Sequence, residues 1–178
     1  MNKVIGWIGV GSMGSRMAAN LSKGGYPLII ADKINTELAP EGAKIAHNNE
    51  ELSKKAETVI FSVPAGPDTL TIAKEFINTP DSIVKTVIDT STIGIPHAKE
   101  AFELFKTHGI EYIDAPVSGG IAGAEAGTLA VMVGCQLDSF NKFKTILECV
   151  GQNVIHVGSE AGQGQTVKLL NNFLSATA

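Results

Sequence analysis

The most informative segment of the sequence is Val4-Ile-Gly-Trp-Ile8-Gly9-Val-Gly11-Ser-Met-Gly14, close to the start of the chain. Its first five residues are mostly apolar and predict a buried strand, and a G-x-G-x-x-G pattern follows at once. An amphipathic pattern over 12–23 then predicts a helix. A strand, a glycine-rich turn and a helix in this order are typical of a dinucleotide-binding βαβ unit.

Each glycine of the turn has a physical role in such a unit. Gly9 permits the tight turn, Gly11 lets the backbone approach a pyrophosphate, and Gly14 lets the helix pack closely on the strand. The pyrophosphate would lie at the helix N-terminus, where free N–H groups and the helix dipole favour negative charge. We therefore expect a dinucleotide to contact the whole turn: Gly9, Val10, Gly11, Ser12, Met13 and Gly14.

Asp32 follows the next apolar run, eighteen residues beyond Gly14. At this position a carboxylate accepts hydrogen bonds from the adenosine ribose and repels a 2′-phosphate, so the sequence favours NAD over NADP. Lys33 could partly neutralise such a phosphate, which keeps NADP as the less favoured alternative.

The remaining chain alternates apolar runs with helical patterns, which predicts an α/β fold of the Rossmann type, with a doubly wound and mostly parallel sheet. The runs are nearly continuous in apolar residues, as expected for strands covered on both faces. The predicted strands are Val4–Ile8, Leu28–Ala31, Thr58–Val63, Val84–Asp89, Ile110–Ile113, Leu129–Val133 and Val154–Val157. The predicted helices include Ser12–Lys23, Ile95–His108 stopped by Gly109, and Asp138–Val150, capped by Asp138 or Ser139 and closed by Gly151.

The bulk composition narrows the class of protein. A chain of 178 residues with 44% apolar and 18% charged residues fits one globular domain. The net charge of −4 and the lack of basic blocks argue against a nucleic-acid or membrane partner. Cys135 and Cys149 are predicted to be two buried free thiols, and no spacing suggests a metal site. With no basic leader at the start, the expected location is cytoplasmic.

The last segment begins with Gly162-Gln-Gly164 and continues as a helical pattern from Gln165. Its apolar face needs cover from another chain or from further polypeptide, so we expect a homo-oligomer and a longer parent protein. The predicted division is a dinucleotide-binding domain over 1–161 and the start of a further helix over 162–178. The apolar face consists of Val167, Leu170, Phe173 and Leu174.

Several loop motifs stand where predicted strands end, which is where open α/β sheets bind ligands. Together with the glycine-rich turn, and in this order, they resemble the β-hydroxyacid dehydrogenase family. The motifs are Met17-Ala-Ala-Asn-Leu21, Asp89-Thr-Ser-Thr92, Asp114-Ala-Pro-Val-Ser-Gly-Gly120, Ala126-Gly-Thr-Leu129, Met132-Val-Gly134 and Gly162-Gln-Gly164-Gln-Thr-Val-Lys168-Leu-Leu-Asn171-Asn172.

The resemblance implies roles for particular residues. Val63 and Pro64 would line the adenosine side of the cofactor, and Thr92 would lie near the nicotinamide ribose. A hydroxyl and consecutive backbone N–H groups would hold the substrate carboxylate as an anion-binding nest at Ser118, Gly119 and Gly120. Asp68 stands where an Asn is more typical of 3-hydroxyisobutyrate dehydrogenases, so it receives no cofactor role.

The resemblance also implies that Lys168 exchanges a proton with the substrate hydroxyl while hydride moves to or from the nicotinamide. Burial or the nicotinamide cation would lower the pKa of this amine enough for it to act as a base. Asn172, four residues later on the same helical face, would anchor the substrate. Members of the family carry a second, all-helical domain that closes the site. Without it, we expect weak dinucleotide binding and little turnover from this chain.

Three functions compete at this point. The favoured one is an NAD-dependent dehydrogenase of small 3-hydroxy acids, such as 3-hydroxyisobutyrate or a related semialdehyde and hydroxy acid pair. The second is a non-catalytic dinucleotide-binding module or sensor, which would need none of Ser118, Lys168 and Asn172. The third is an enzyme of the 6-phosphogluconate type, which would want an NADP-favouring residue in place of Asp32 and more basic groups.

Overall fold

The computed structural model describes residues 3–177, and within them the chain forms nine strands and seven α-helices. The strands are β1 (Ile5–Ile8), β2 (Leu28–Ala31), β3 (Lys44–Ile45), β4 (Thr58–Phe61), β5 (Thr86–Asp89), β6 (Glu111–Asp114), β7 (Val117–Ser118), β8 (Ala130–Gly134) and β9 (Asn153–Gly158). The helices are α1 (Gly14–Lys23), α2 (Asn49–Ser53), α3 (Gly66–Asn78), α4 (Ile95–Lys106), α5 (Gly120–Ala126), α6 (Leu137–Val150) and α7 (Gln163–Thr177).

All nine strands belong to one sheet. Its first six strands are parallel and lie in the order β3-β2-β1-β4-β5-β6. The chain leaves β1 toward β2 and β3 and then returns to β4 on the other side of β1. The crevice at the carboxyl ends of β1 and β4 is therefore the topological switch point, where such sheets bind their ligands.

The parallel strands are apolar because helices cover both faces of the sheet. The residues of β1, β2 and β5 are all buried, and Trp7 in β1 has no exposed surface. One hydrophobic cluster joins the sheet to α1 and α6, and a second joins it to α2, α3 and α4. These observations confirm the predicted doubly wound α/β class.

Beyond β6 the sheet changes direction. β6 and β7 follow one another along the same side of β8, and both pair with it antiparallel. Since β5 pairs with β6 but not with β7, the chain continues past the end of the parallel sheet before it reaches Ser118. β9 pairs with β8 in parallel but lies at an edge, where Ile155 is half exposed. The expectation that this strand is covered on both faces was therefore wrong.

Some local predictions also need correction. The N-cap of α6 is Gln136, with no side-chain cap bond, so neither Asp138 nor Ser139 caps this helix. The Ser139 hydroxyl instead donates to the Glu111 carboxylate. Cys135 is buried as expected, but Cys149 is only partly buried, because α6 carries it on the margin of its apolar face.

Helix ends depend on which groups satisfy the last backbone carbonyls. The Thr107 amide donates to the Glu103 carbonyl four residues back, but the amides of His108 and Gly109 donate only three residues back, to Phe105 and Lys106. Helix α4 therefore ends at Lys106, two residues before the predicted end. Gly109 then adopts a left-handed conformation in the turn that follows. Gly151 caps α6 as predicted.

Candidate active site

A cavity of about 470 Å³ lies at the switch point, where β1, β2 and β4 end. Its walls come from the glycine-rich turn, the loop after β2, the loop after β4, the first turn of α2 and the first two turns of α3. The residues that line it are Ile8, Gly9, Gly11, Ser12, Met13, Gly14, Asp32, Lys33, Ile34, Asn35, Asn49, Ser62, Val63, Pro64, Asp68 and Ile72.

The three glycines of the turn differ in what surrounds them. A Cβ on Gly9 would overlap the Ser62 carbonyl oxygen, and one on Gly14 would overlap the Gly9 carbonyl oxygen. A Cβ on Gly11 would meet no atom of the protein within 4 Å. The fold therefore requires glycine at Gly9 and Gly14, whereas the open space at Gly11 fits a ligand that approaches the backbone closely.

The turn is also held from the core side. The Trp7 indole N–H donates to the Gly9 carbonyl oxygen at 2.9 Å, so the largest side chain of β1 supports the first residue of the turn. Val10, by contrast, does not line the cavity, because its side chain is fully buried in the core. Its backbone N–H donates to Asp32 at 2.7 Å, so Val10 serves the site through that carboxylate.

Asp32 is fixed by backbone amides on both of its oxygens. Oδ2 accepts from Val10, and Oδ1 accepts from Ile34 and Asn35 at 2.8 Å each. Burial by itself would raise the pKa of Asp32, but these hydrogen bonds outweigh it, and its pKa lies below the ordinary value. An ionised carboxylate in a fixed position therefore forms one wall of the cavity.

Sequence reasoning missed several residues of this cavity. Asp68 lies in the first turn of α3 and brings a second carboxylate to the lining, although it had received no cofactor role. Asn49 and Ile72 come from α2 and α3, two helices that the sequence patterns did not single out. The signal that could have revealed Asp68 and Ile72 is the short sequence separation between Val63-Pro64 and the start of α3. Thr92 lies outside this lining and is exposed after β5.

The second candidate region lies beyond β6, at the start of α5. Ser118 is half buried, and its hydroxyl accepts a hydrogen bond from the Asn171 side-chain amide at 2.8 Å. Gly119 and Gly120 follow with φ angles of +136° and +66°, values that L side chains rarely adopt. The structure therefore joins β7 to α7 through Asn171, a residue that carried no predicted role.

Lys168 stands on α7 one turn before this contact. Its side chain is half buried, and burial lowers the pKa of its amine, in the direction expected for a proton acceptor. Asn171 and Asn172 lie three and four residues further on, so all three share a side of the helix. Asn172 is exposed, and Asn171 makes the contact with Ser118.

The beginning of α7 is fastened to the carboxyl ends of two strands. The Asp114 carboxylate, at the end of β6, accepts from the backbone amides of Gly162 and Gln165. Burial raises the pKa of Asp114 to about 6, although the hydrogen bonds from Gln165 and Gly162 oppose this shift. Gly164 is required because a Cβ there would lie 2.5 Å from the Met132 carbonyl oxygen of β8.

Comparison with known proteins places this arrangement in a family. The family model described as the NAD binding domain of 6-phosphogluconate dehydrogenase matches residues 4–158. The chain belongs to this NAD-binding domain family. The match covers the cavity, the glycine-rich turn and Asp32, and it shows that the domain binds a nicotinamide dinucleotide.

Curated relatives of this NAD-binding domain are named as dehydrogenases of hydroxy acids. A probable mitochondrial 3-hydroxyisobutyrate dehydrogenase of Dictyostelium discoideum is 40% identical over 97% of this chain and 55% of its own length. The 2-(hydroxymethyl)glutarate dehydrogenase of Eubacterium barkeri is 34% identical over 96% of this chain and 58% of its own length. The chain thus spans about half the length of the curated relatives that it matches.

A solved structure shows the same relation in three dimensions. The 3-hydroxyisobutyrate dehydrogenase of Mycobacterium tuberculosis, solved with L-serine, superposes with a TM-score of 0.91 and 34% identity, over 99% of this chain and 61% of that one. The resemblance to the β-hydroxyacid dehydrogenases is therefore confirmed. In residues 3–177, no helix of this NAD-binding domain is both long and apolar enough to cross a membrane.

Proposed function

We propose that this chain binds NAD and supplies the proton-transfer and carboxylate-binding residues of a 3-hydroxy acid dehydrogenase. The substrate would be 3-hydroxyisobutyrate or a related semialdehyde and hydroxy acid pair. The observation that carries the proposal is the fixed Asp32 carboxylate in a cavity whose glycine-rich turn leaves open space at Gly11. The names of the relatives support the substrate class.

The preference for NAD over NADP follows from charge. Asp32 is ionised at neutral pH and is held by three backbone amides, so it cannot turn away from an added 2′-phosphate without losing those hydrogen bonds. Lys33 lines the same cavity and would offset part of the repulsion. We expect NADH to bind at least tenfold more tightly than NADPH when both are titrated by isothermal calorimetry. Equal affinities would contradict the choice of cofactor.

In the proposed reaction, the hydroxyl of Ser118 and the backbone of Gly119 and Gly120 bind the substrate carboxylate. Lys168 takes the proton of the substrate hydroxyl during oxidation and returns it during reduction, and its lowered pKa favours the neutral amine that this step needs. NAD, when bound, supplies the hydride acceptor. Asn172 would contact the substrate, while Asn171 would orient Ser118.

Lys168 gives the sharpest test of the chemistry. In a full-length version that carries the second domain, we expect Lys168→Ala to abolish the formation of NADH from NAD and 3-hydroxyisobutyrate, while the affinity for NADH stays within twofold of the unmodified protein. Lys74→Ala removes an exposed lysine from α3 and is the matched control. If turnover survives in the Lys168 variant, the proton must move through another group. If the full-length version binds NADH but neither binds nor converts any 3-hydroxy acid, the non-catalytic module becomes the better description.

Three further proposals follow from the predicted organisation. The division at residue 162 stays a prediction, and α7 begins beside it at Gln163. Self-association stays a proposal as well, supported by four exposed apolar side chains on α7, namely Leu169, Leu170, Phe173 and Leu174. A cytoplasmic location also stays a prediction, and several relatives carry the word mitochondrial in their names.

A further inference from the structure

We infer that Gln165 is a positioning residue for Lys168, because its side chain ties the start of α7 to the loop that follows β5. The inference rests on the proposed function, in which Lys168 moves the substrate proton. It adds a residue that touches neither the dinucleotide cavity nor the Ser118 region, and it assigns that residue an effect on the reaction.

All hydrogen-bond donors and acceptors of the Gln165 side chain are paired with other groups of the protein. Its oxygen accepts from the backbone amides of Ile93 and Gly94 at 2.9 and 3.0 Å. Its amide nitrogen donates to the Ser91 carbonyl oxygen at 3.1 Å and to Asp114 Oδ1 at 2.8 Å. A primary amide has two N–H donors and two acceptor lone pairs, so no hydrogen-bonding position is left over.

The surroundings of Gln165 make these bonds strong and hard to replace. The residue is 2% exposed, so water cannot take the place of a lost partner. One of its four bonds goes to Asp114, which also holds the backbone amides of Gly162 and Gln165 itself. The first turn of α7 is thereby fastened both to the end of β6 and to the loop after β5.

Lys168 lies three residues after Gln165, so the two residues are neighbours on the same side of α7. The remaining length of α7 is weakly attached, since Leu169, Leu170 and Phe173 are all largely exposed. The orientation of the Lys168 side of the helix therefore depends on its fastened first turn and on the Asn171 contact with Ser118. Releasing Gln165 would let that side of α7 move away from the loop that contains Thr92.

The test compares two glutamines of the same helix. Gln165→Met keeps the volume of the side chain and removes all four hydrogen bonds. Gln163→Met is the matched control, because the Gln163 oxygen accepts only the nearby Glu160 amide at 2.9 Å. The ε-amine of Lys168 is followed by NMR titration after ¹³C-methylation of the lysines, with Lys168→Arg to assign its signal. Affinities for NADH and for 3-hydroxyisobutyrate in the presence of NADH are measured in parallel.

In Gln165→Met we expect the pKa of Lys168 to return toward that of exposed lysines, and the affinity for 3-hydroxyisobutyrate to fall at least tenfold, while NADH affinity stays within twofold. Gln163→Met should change none of these. An unchanged Lys168 titration in a folded Gln165→Met would overturn the inference. If the full-length version binds no 3-hydroxy acid, the proposed function fails, but the amine titration still decides the role of Gln165.

Amide hydrogen exchange in the unmodified chain tests the same link without any substitution. If Gln165 fastens the loop to the helix, the amides of Gly94 and Gln165 should open together, with the same dependence on added urea. Exchange at Gly94 that is a hundredfold faster than at Gln165, with no urea dependence, would overturn the inference even if Gln165→Met cannot fold.

Discussion

Two carboxylates, Asp32 and Asp68, line a cavity that is proposed to receive a dinucleotide with two negative phosphates. The negative charge of Asp32 favours cofactor binding, because a ribose hydroxyl can donate a hydrogen bond to the carboxylate. Three backbone amides hold this carboxylate in place. Within residues 3–177, the Asp68 carboxylate accepts no hydrogen bond from a backbone amide. We therefore expect its charge to add repulsion in the cavity and to lower the affinity for the cofactor.

Replacing that charge should strengthen binding. We expect Asp68→Asn to raise the affinity for NADH about fivefold, since one unit charge near the cavity rim is worth about 1 kcal/mol in a well-solvated setting. Calorimetric titration at low salt measures the change, and added salt should reduce it. Glu100→Gln, which removes an exposed carboxylate from α4, is the control. An affinity that falls in Asp68→Asn would mean that Asp68 itself binds the cofactor.

Asp114 predicts a dependence of stability on pH. Its pKa rises from 3.8 in the unfolded chain to about 6 in the folded one, chiefly through burial. The folded state therefore holds this proton more tightly, and the contribution of Asp114 to the free energy of unfolding is full below about pH 4 and is lost as the pH rises to about 6. At about 1.36 kcal/mol per pKa unit, the loss is on the order of 3 kcal/mol.

Urea unfolding between pH 4 and 8 measures that contribution when the unmodified chain is compared with Asp114→Asn. Relative to Asp114→Asn, the unmodified chain should lose about 3 kcal/mol of its free energy of unfolding between pH 4 and pH 6. Above pH 6 the difference between the two proteins should stay level. Asp89, whose buried carboxyl also has a raised pKa, is present in both proteins and largely cancels. A difference that is constant across the whole range would contradict the assignment.

In the turn between β1 and α1, the fold and the ligand depend on different glycines. We expect Gly11→Ala to leave the melting temperature within about 2 °C, because its Cβ meets no protein atom, and to weaken NADH binding at least tenfold. Gly14→Ala should instead cost about 1–3 kcal/mol of stability, because its Cβ overlaps the Gly9 carbonyl. Thermal unfolding and calorimetry distinguish the two, and a Gly11→Ala chain that binds NADH normally would place the pyrophosphate elsewhere.

The elements that could be predicted are those whose patterns arise locally. The run ending at Ile8, the turn to Gly14 and the position of Asp32 all follow from spacing, and each lies where it was expected. The short elements were missed, because β3 and β7 have two residues each and α2 has five. Elements of this length are stabilised by the sheet around them and leave no periodic signal.

For the whole molecule, ligand binding should appear as thermal stability. NADH at a hundredfold excess over its dissociation constant would stabilise the folded chain by about 2.7 kcal/mol, which for a domain of this size raises the melting temperature by about 5–11 °C. Differential scanning calorimetry with NADH and with NADPH at equal concentration measures the effect. A similar rise with both cofactors would show that Asp32 does not discriminate between them.

The parts of the site that resisted prediction are those assembled from distant segments. Gln165 forms hydrogen bonds with Ile93, Gly94 and Asp114, each more than fifty residues away in the sequence. Asn171 forms its hydrogen bond with Ser118 over a similar sequence separation. No local pattern reports such pairs, since each depends on how β6, β7 and α7 are arranged in space. Asn172 could be singled out by its spacing from Lys168, but spacing could not show that its neighbour makes the contact.

The single tryptophan of the chain gives the molecule an internal optical reporter. Trp7 is fully buried, and its indole N–H donates a hydrogen bond to the carbonyl oxygen of the first glycine in the turn. A rearrangement of that turn by a diphosphate would alter the electric field at the ring and shift its emission. Reduced nicotinamide absorbs light in the range where a buried indole emits, so excited Trp7 would transfer energy to a nucleotide in the adjoining crevice. The occupancy of the crevice can thus be followed in real time without attaching any dye.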